Sequence, residues 1–577
     1  MSKNYLLICC AAIATTGFSQ KKDTVATLQP VTVTATRIAQ PIEKTGRSVS
    51  IITADDIAKS TASTFDDLLR MQAGINLNNR GGFGVQSDIG IRGSTFSQVL
   101  IMVDNMRLND PLTGHFNNIL PVTLSEIGRI EIIRGPAAVA YGSDAVGGMI
   151  HIKTKAYLKR QPSEGVESSG SISVGQFGLL NNDLSLGVNN NKLFVGGGIK
   201  NIQSDGQQFV NPNFRKNGAA DTFFNTDFNL QTYSLSLAYL LNPKWTFSGR
   251  FGADLRDFNA KYFYTASSFD ESKEEVKTLW GQANIIHTNY KKANNQYLNR
   301  SLEINIGYRK TNDDFLFNPA FAANVHTMQK FGVNINKNYE IDAFNKFAFG
   351  VQVENREIES TDRGNHENLD GGLYLIYNRN FSNDLNITFG QRLAYNDNYG
   401  MAYLPQLSIS KPIAKNLILA ASAGKSIRSA DFTERFVSNK IDSVAAGRNL
   451  GNPDLTEERS IAIDGGLTFT PNRKNQLSAT YFHRWSNDLI DYSLTNSSEI
   501  ANLTNVKFNT DYLFAKNISK AETNGVELSY NYTTQFEDNS SFTMGINYTF
   551  IETKAPVGNL SKYISNHPKE NLGVNLG

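Results

Sequence analysis

An antiparallel β-barrel of the membrane-spanning kind, preceded by a compact α/β region, is the fold class that the sequence predicts. Three observations carry that reading. Past residue 157 apolar and polar residues alternate in one run after another. No stretch of about 18 consecutive apolar residues occurs, so no transmembrane helix is available. The connections between the alternating runs come in two sizes, as short turns on one rim and long loops on the other would require.

The bulk properties fit this class and exclude others. At 577 residues the chain is too long for one ordinary soluble domain, and a formal charge of +2 argues against nucleic acid as a partner. Aromatic residues make up 11%, with 35 Phe and 23 Tyr, which suits interfacial girdles around an apolar band. A large soluble all-β protein would have similar totals, so composition alone does not separate the two.

Residues 1–20 read as a secretory leader. Lys3 supplies the positive end, 5–14 the apolar core, and Gly17-Phe18-Ser19 a small-residue exit. The two cysteines, Cys9 and Cys10, both lie inside it, so disulfides, thiolate metal sites and cysteine nucleophiles are not expected in the mature chain. Residues 21–44 form a polar linker that contains Val31-Thr32-Val33-Thr34-Ala35 after Pro30. Val and Thr favour extended backbone, so this stretch can be recruited as a strand.

From residue 45 to 155 helices and strands are mixed. The sequence predicts a strand over 48–53, a helix from Ala54, and a second helix over 65–72 with Thr64 as its cap and Asp66 and Asp67 in its first turn. Asn78-Asn79-Arg80-Gly81-Gly82-Phe83-Gly84 reads as a loop with one aromatic at its tip. A buried strand begins at Val99 and leads into a turn at Asp104-Asn105, where Asn tolerates left-handed backbone. Asn109-Asp110-Pro111-Leu112-Thr113-Gly114-His115-Phe116-Asn117-Asn118 is turn chemistry with an imidazole, an aromatic and amides bunched together. Phe83, His115, Phe116 and Asn117 are therefore the candidate ligand contacts. A hydrogen-bonded loop without a ligand is the alternative for the same residues.

The region closes with R-I-E-I-I-R-G-P-A-A-V-A-Y-G-S-D-A-V-G-G-M-I-H-I-K-T-K over 129–155. Ile130 and Ile132 alternate with Glu131, Gly135-Pro136 breaks the run, and Ile150 and Ile152 alternate with His151, predicting strand, Gly-rich elbow and strand. This segment resembles the end of the plug domain of TonB-dependent outer-membrane receptors, with His151 in place of the common Asn. Gly451-Asn452-Pro453-Asp454-Leu455-Thr456-Glu457-Glu458 and Ala521-Glu522-Thr523-Asn524-Gly525-Val526-Glu527-Leu528 are similar to wording in the family's barrel.

The resemblance implies a plug over 45–155 inside a barrel over 156–577, in the outer membrane of a Gram-negative cell. It implies that Val31, Thr32, Val33, Thr34 and Ala35 are the segment that binds TonB, which works with ExbB and ExbD. It also implies that Arg92, Glu131 and Arg134 form a plug–barrel latch of ion pairs. The expected activity is TonB-dependent import of a scarce bulky nutrient, a metal chelate such as cobalamin, a ferric siderophore or haem. The wording N-D-P-x-T-G-H is most like the cobalamin-receptor branch. Further expectations are contact with outer-membrane lipids, a possible surface lipoprotein partner, no required cofactor, no bound metal of its own and no enzyme activity, since no P-loop, H-E-x-x-H or nucleophile elbow occurs. A passive porin or adhesin is the rival reading from another class.

In the barrel region Tyr233, Leu235, Leu237 and Tyr239 alternate with Thr232, Ser234, Ser236 and Ala238. Leu302, Ile304, Ile306 and Tyr308, and Phe542, Met544, Ile546, Tyr548 and Phe550, do the same. Each run matches the ~9–11 residues that a tilted membrane strand needs. Short turns are expected at 189–191, 242–244, 382–384, 472–475 and 537–539, and long loops at 203–228, 256–275, 431–459 and 493–515. About 17 or 18 strands result, against 22 in plugged outer-membrane transporters. The expectation is a chain lacking about four C-terminal strands of such a barrel.

Overall fold

The computed structural model describes residues 32–33, 36–213, 222–265, 267–293, 296–501, 503–536, 540–555 and 566–577. The leader over 1–20, Val31, Thr34, Ala35 and the turn expected at 537–539 lie outside the described residues.

One sheet of nineteen strands dominates. The stretch Asn449–Leu450 is two residues long and runs parallel to the strand Asp511–Gln535. The remaining strands form an antiparallel meander from Gly165–Val174 to Glu570–Leu576. Among the described residues no pairing joins those two outermost strands. The alternation read from the sequence sorts as expected: Leu235 is 59% exposed and Tyr233 41%, whereas Ser236 is 5% exposed and Ala238 is fully buried. Outward side chains are apolar and inward ones small or polar, which is the pattern of a strand with hydrocarbon outside and a polar lumen inside. Tight connections follow Asn190, Asn242, Asn380 and Asn472; the connections expected to be long fall at the other rim, while 288–301, which the sequence did not mark as long, lies at the tight-turn rim and carries a short hairpin of Tyr290–Ala293 and Gln296–Asn299. The loop expected at 493–515 is shorter, because the flanking strands Asn475–Asn496 and Asp511–Gln535 continue well beyond bilayer thickness.

The lumen is filled by the N-terminal region. Its main sheet contains β1 (Val49–Thr53), β4 (Val99–Val103), β5 (Met106–Arg107), β6 (Ile127–Arg134) and β7 (Gly148–Thr154), in the order β1-β6-β7-β4-β5. β4 and β7 are parallel and the other pairs antiparallel. A hairpin of β2 (Ile75–Arg80) and β3 (Gln86–Ile91) stands beside it. Helix α1 (Ala54–Lys59) starts at a capping box between Thr53 and Asp56. Helix α2 (Phe65–Arg70) is capped by Thr64, as expected, but ends two residues early. The turn at Asp104-Asn105 has φ of 48° and 69°, so Asn does serve where a left-handed residue is needed.

Three local expectations are corrected. Residues 78–80 belong to β2, so the loop shrinks to 81–85 with Phe83 (φ 52°) at its bend. The elbow after Arg134 contains a one-turn helix, α3 (Ala138–Tyr141), whose four side chains are buried against the plug and the barrel wall. Alternation within β6 and β7 does not separate inside from outside: Ile130, Glu131, Ile132, Ile150, His151 and Ile152 are all fully buried. A sheet enclosed by a barrel has no solvent face.

Candidate functional site

Plug and barrel meet at a buried charge cluster. Arg92 directly follows β3 and Arg134 ends β6, and each precedes a glycine, which turns the chain and projects the guanidinium outward. Arg92 Nη2 lies 2.7 Å from Glu527 Oε2 and its Nε 3.0 Å from Oε1, a two-pronged pair. Asp464 is 3.7 Å from the same guanidinium, and the Phe482 ring lies 4.9 Å from its centre. Arg134 approaches Glu527 at 3.9 Å and donates to Ala73 O and Ser50 Oγ. Burial and Glu527 act on Arg92 in opposite directions, and the carboxylate prevails, raising its pKa. Two glycines make room. A Cβ on Gly74 (φ 71°) would sit 1.9 Å from Glu527 Oε1, and one on Gly135 (φ 79°) would sit 2.7 Å from Asp464 Oδ2.

Glu131 is not brought to this junction. Its carboxylate lies 2.7 Å from Lys153 Nζ on the neighbouring β7 and 2.8 Å from Arg129 on its own strand. The carboxylates at the plug–barrel contact are instead barrel residues whose roles the sequence left unassigned, Glu527, Asp464 and Glu458. Glu458 accepts from Gln98 of the plug at 2.7 Å, from Arg428 at 2.6 Å and from the amide of Ile490. The signal was present, since Glu458 and Glu527 sit inside the two quoted barrel motifs.

The Asn109–Asn118 loop forms the apex of the plug and lines a cavity of about 240 Å³ under the long barrel loops. His115 stacks on Phe96 with centroids 4.1 Å apart, and its Nδ1 donates to Asp88 at 2.6 Å. Asp88 also holds Arg80 at 3.0 Å. Phe116 touches the cavity but is 3% exposed, in a cluster with Leu112, Ile119 and Phe228. Asn117 is 1% exposed and braces the loop, accepting from Asp110 N and donating to Phe96 O. Phe83 packs 6.1 Å from Phe228, away from the cavity lining. Only His115 and Phe116 of the four candidates therefore reach this cavity. The barrel contributes residues that sequence reading did not single out: Tyr264, Glu274, Asp313, Asp362, Arg363, Asp431 and Glu434. They come from three connections, 260–272, 361–365 and 429–448, and from the two strands that hold Glu274 and Asp313, and nothing in local sequence says that they converge.

The N-terminal segment lies inside the barrel mouth. Thr32–Val33 pairs with Gln40–Pro41, and Val33 is fully buried among Leu100, Met102 and Tyr141. Arg37 donates to Ala140 O and Asn105 Oδ1 and lies 4.2 Å over the Tyr141 ring. The expectation of an exposed, extended linker over 21–44 is thus corrected for its described part: apolar Val33 and Ile38 bury against the plug instead of facing water.

A barrel sealed by its own N-terminal domain, with a charged junction on one side and an apical cavity on the other, defines a plugged outer-membrane-type receptor. The comparisons with known proteins make this specific: the TonB-dependent receptor plug domain matches residues 41–149, and the TonB-dependent receptor-like β-barrel matches 161–577. The chain belongs to the TonB-dependent receptor family. It is similar to the vitamin B12 transporter BtuB of Vibrio vulnificus, 36% identical over 155 residues, which is 27% of this chain and 25% of that protein. It also resembles BtuB of Vibrio cholerae, 32% identical over 204 residues, 33% of each chain. The chain thus spans a quarter to a third of the length of these curated relatives. Among solved structures, the siderophore receptor PirA of Pseudomonas aeruginosa superposes with TM-score 0.66 at 18% identity, over 88% of this chain and 86% of that one. The ferric enterobactin receptor PfeA superposes with TM-score 0.72 at 18% identity, over 92% and 84%. At this identity the likeness is one of fold.

Proposed function

We propose that the protein imports a bulky metal chelate, cobalamin or a ferric siderophore, across the outer membrane, driven by TonB. The observation that carries this reading is the buried strand at Thr32–Val33, anchored through Arg37 to the plug that blocks the lumen. A partner that captures the segment 31–35 by strand addition and pulls would load the plug directly through Arg37. The Arg92–Glu527–Arg134 junction resists that load while holding no covalent bond, so it can break and re-form. The chain itself supplies no nucleotide site, so the work comes from TonB with ExbB and ExbD and the inner-membrane proton gradient.

The similarity to vitamin B12 transporters in sequence and to siderophore receptors in fold supports this substrate range. Deleting residues 28–37 tests it. The importer should lose accumulation of labelled cyanocobalamin or ferric chelate while surface binding persists. A passive porin would keep its flux.

A further inference from the structure

Resting on the import reading, the chemistry of the apical cavity narrows the cargo. Carboxyl groups crowd this space. Tyr264 Oη donates to Glu274 Oε2 at 2.8 Å, and Asp313, from the adjacent strand, lies beside it. Asp313 is 2% exposed, and its Oδ1 has no hydrogen-bond partner although it lines the cavity. Asp431 caps the short helix Phe432–Phe436 at the opposite wall, where burial and the neighbouring Glu434 push its carboxyl up. Five carboxyl groups, Glu274, Asp313, Asp362, Asp431 and Glu434, face two arginines, Arg363 and Arg448, across this space. Arg363 Nη1 is 2.6 Å from Asp362 and Arg428 grips Glu434 at 2.8 and 2.9 Å, while Arg363 Nε has no partner.

Such a wall has more carboxylate acceptors than cationic donors. Carboxyls this close share protons, and an added anion would meet both their charge and the cost of desolvation. A ligand edge bearing N–H donors or positive charge would instead satisfy Asp313 Oδ1 and relieve the crowding. The aromatic faces of Phe96, Tyr264 and Phe315 supply flat apolar contact beside those acceptors. At about 240 Å³ the space admits one side arm of a bulky chelate and not its whole body.

We infer that the apical cavity selects neutral or cationic chelates whose periphery carries amide or ammonium donors, and rejects polyanionic chelates such as ferric tricatecholates.

The test uses the full chain, purified in detergent and titrated with four probes: cyanocobalamin, its monocarboxylic acids in which one propionamide is a propionate, cationic ferrioxamine B, and an iron tricatecholate. The expected result is tight binding by a neutral or cationic member, and binding about tenfold or more weaker for its anionic counterpart. Asp313→Asn should narrow the gap between cyanocobalamin and its monoacids. Equal or tighter binding of the monoacids or the tricatecholate overturns the inference, as does failure of every neutral and cationic probe to bind. Should a polyanion be accumulated in a manner that still needs residues 28–37, this inference fails and the import reading stands. Accumulation that is indifferent to that deletion removes the import reading itself.

Discussion

Arg92 Nη2 and Glu527 Oε2 stand 2.7 Å apart, joining the plug to a barrel strand 435 positions later in the chain. Both side chains are buried, and Arg134 shares the same carboxylate. Glu527→Gln keeps the shape but strands two guanidiniums, which costs about 3–5 kcal/mol where one partner of a buried pair is removed. Hydrogen exchange of β3 should rise in this variant. The double variant Arg92→Gln/Glu527→Gln should recover part of the loss, because no lone charge remains between those two positions.

Gly74 tests the same junction through space rather than charge. Its φ is 71° and an added Cβ would overlap Glu527 Oε1, whereas around Gly82 nothing lies within 4 Å. Gly74→Ala should displace Glu527 and reproduce the exchange phenotype of Glu527→Gln. Gly82→Ala should stay within about 1 kcal/mol of the parent protein. Equal behaviour of the two alanine variants would contradict the geometry.

His151 makes plug stability depend on pH. Its Nε2 accepts from the Asn105 amide at 3.2 Å, so the hydrogen sits on Nδ1, which is buried without a partner. Burial, with help from Lys153, Arg37 and Arg129, holds its pKa well below 6.5. The unfolded plug takes up a proton near pH 6.5 that the folded plug refuses. Stability is therefore complete above that pH and declines as pH falls toward the folded value. At pH 5.5 the deficit should reach about 1.4 kcal/mol relative to pH 7.5. His151→Asn should abolish it, measured as hydrogen exchange of β7 in both proteins at matched pH.

Leu235 faces outward from the barrel and Ser236 inward. In lipid, Leu235→Arg should cost about 2–4 kcal/mol if the residue lies near the bilayer midplane. Folding yield in vesicles reads this out. A soluble all-β protein would tolerate the change or gain solubility.

The barrel was legible because its determinant is local. Period-two alternation at Tyr233–Tyr239 needs only the neighbouring residues, and the tight turns at Asn242 and Asn472 announce themselves by Asn, Pro and Lys. Arg92 and Arg134 were legible as arginines that face the barrel wall by position before glycine, whereas Glu527 sat inside a quoted motif with no role assigned to it. Glu131 misled because the resemblance grouped it with Arg92 and Arg134, yet the barrel covers both faces of β6 and Lys153 claims the carboxylate. Val33 misled for a similar reason: a Val/Thr strand reads as exposed and recruitable, and nothing local reveals that Tyr141 and Met102 cover it. The cavity was illegible beyond His115 and Phe116, since Glu274 and Asp313 meet through strand pairing across some forty residues and Asp431 reaches them from a distant connection.

The claim that the plug must move for cargo to pass is tested most directly by a reversible lock. An added Cβ on Gly198 of the barrel would lie 2.5 Å from Thr123 Oγ1 of the plug, close enough for a cysteine pair to be bridged after small adjustment. With Thr123→Cys/Gly198→Cys, and no other cysteine expected in the mature chain, uptake of labelled chelate is compared before and after reduction. The account predicts binding but no uptake while the bridge is closed, and uptake regained on reduction. Full uptake through the closed bridge would contradict it.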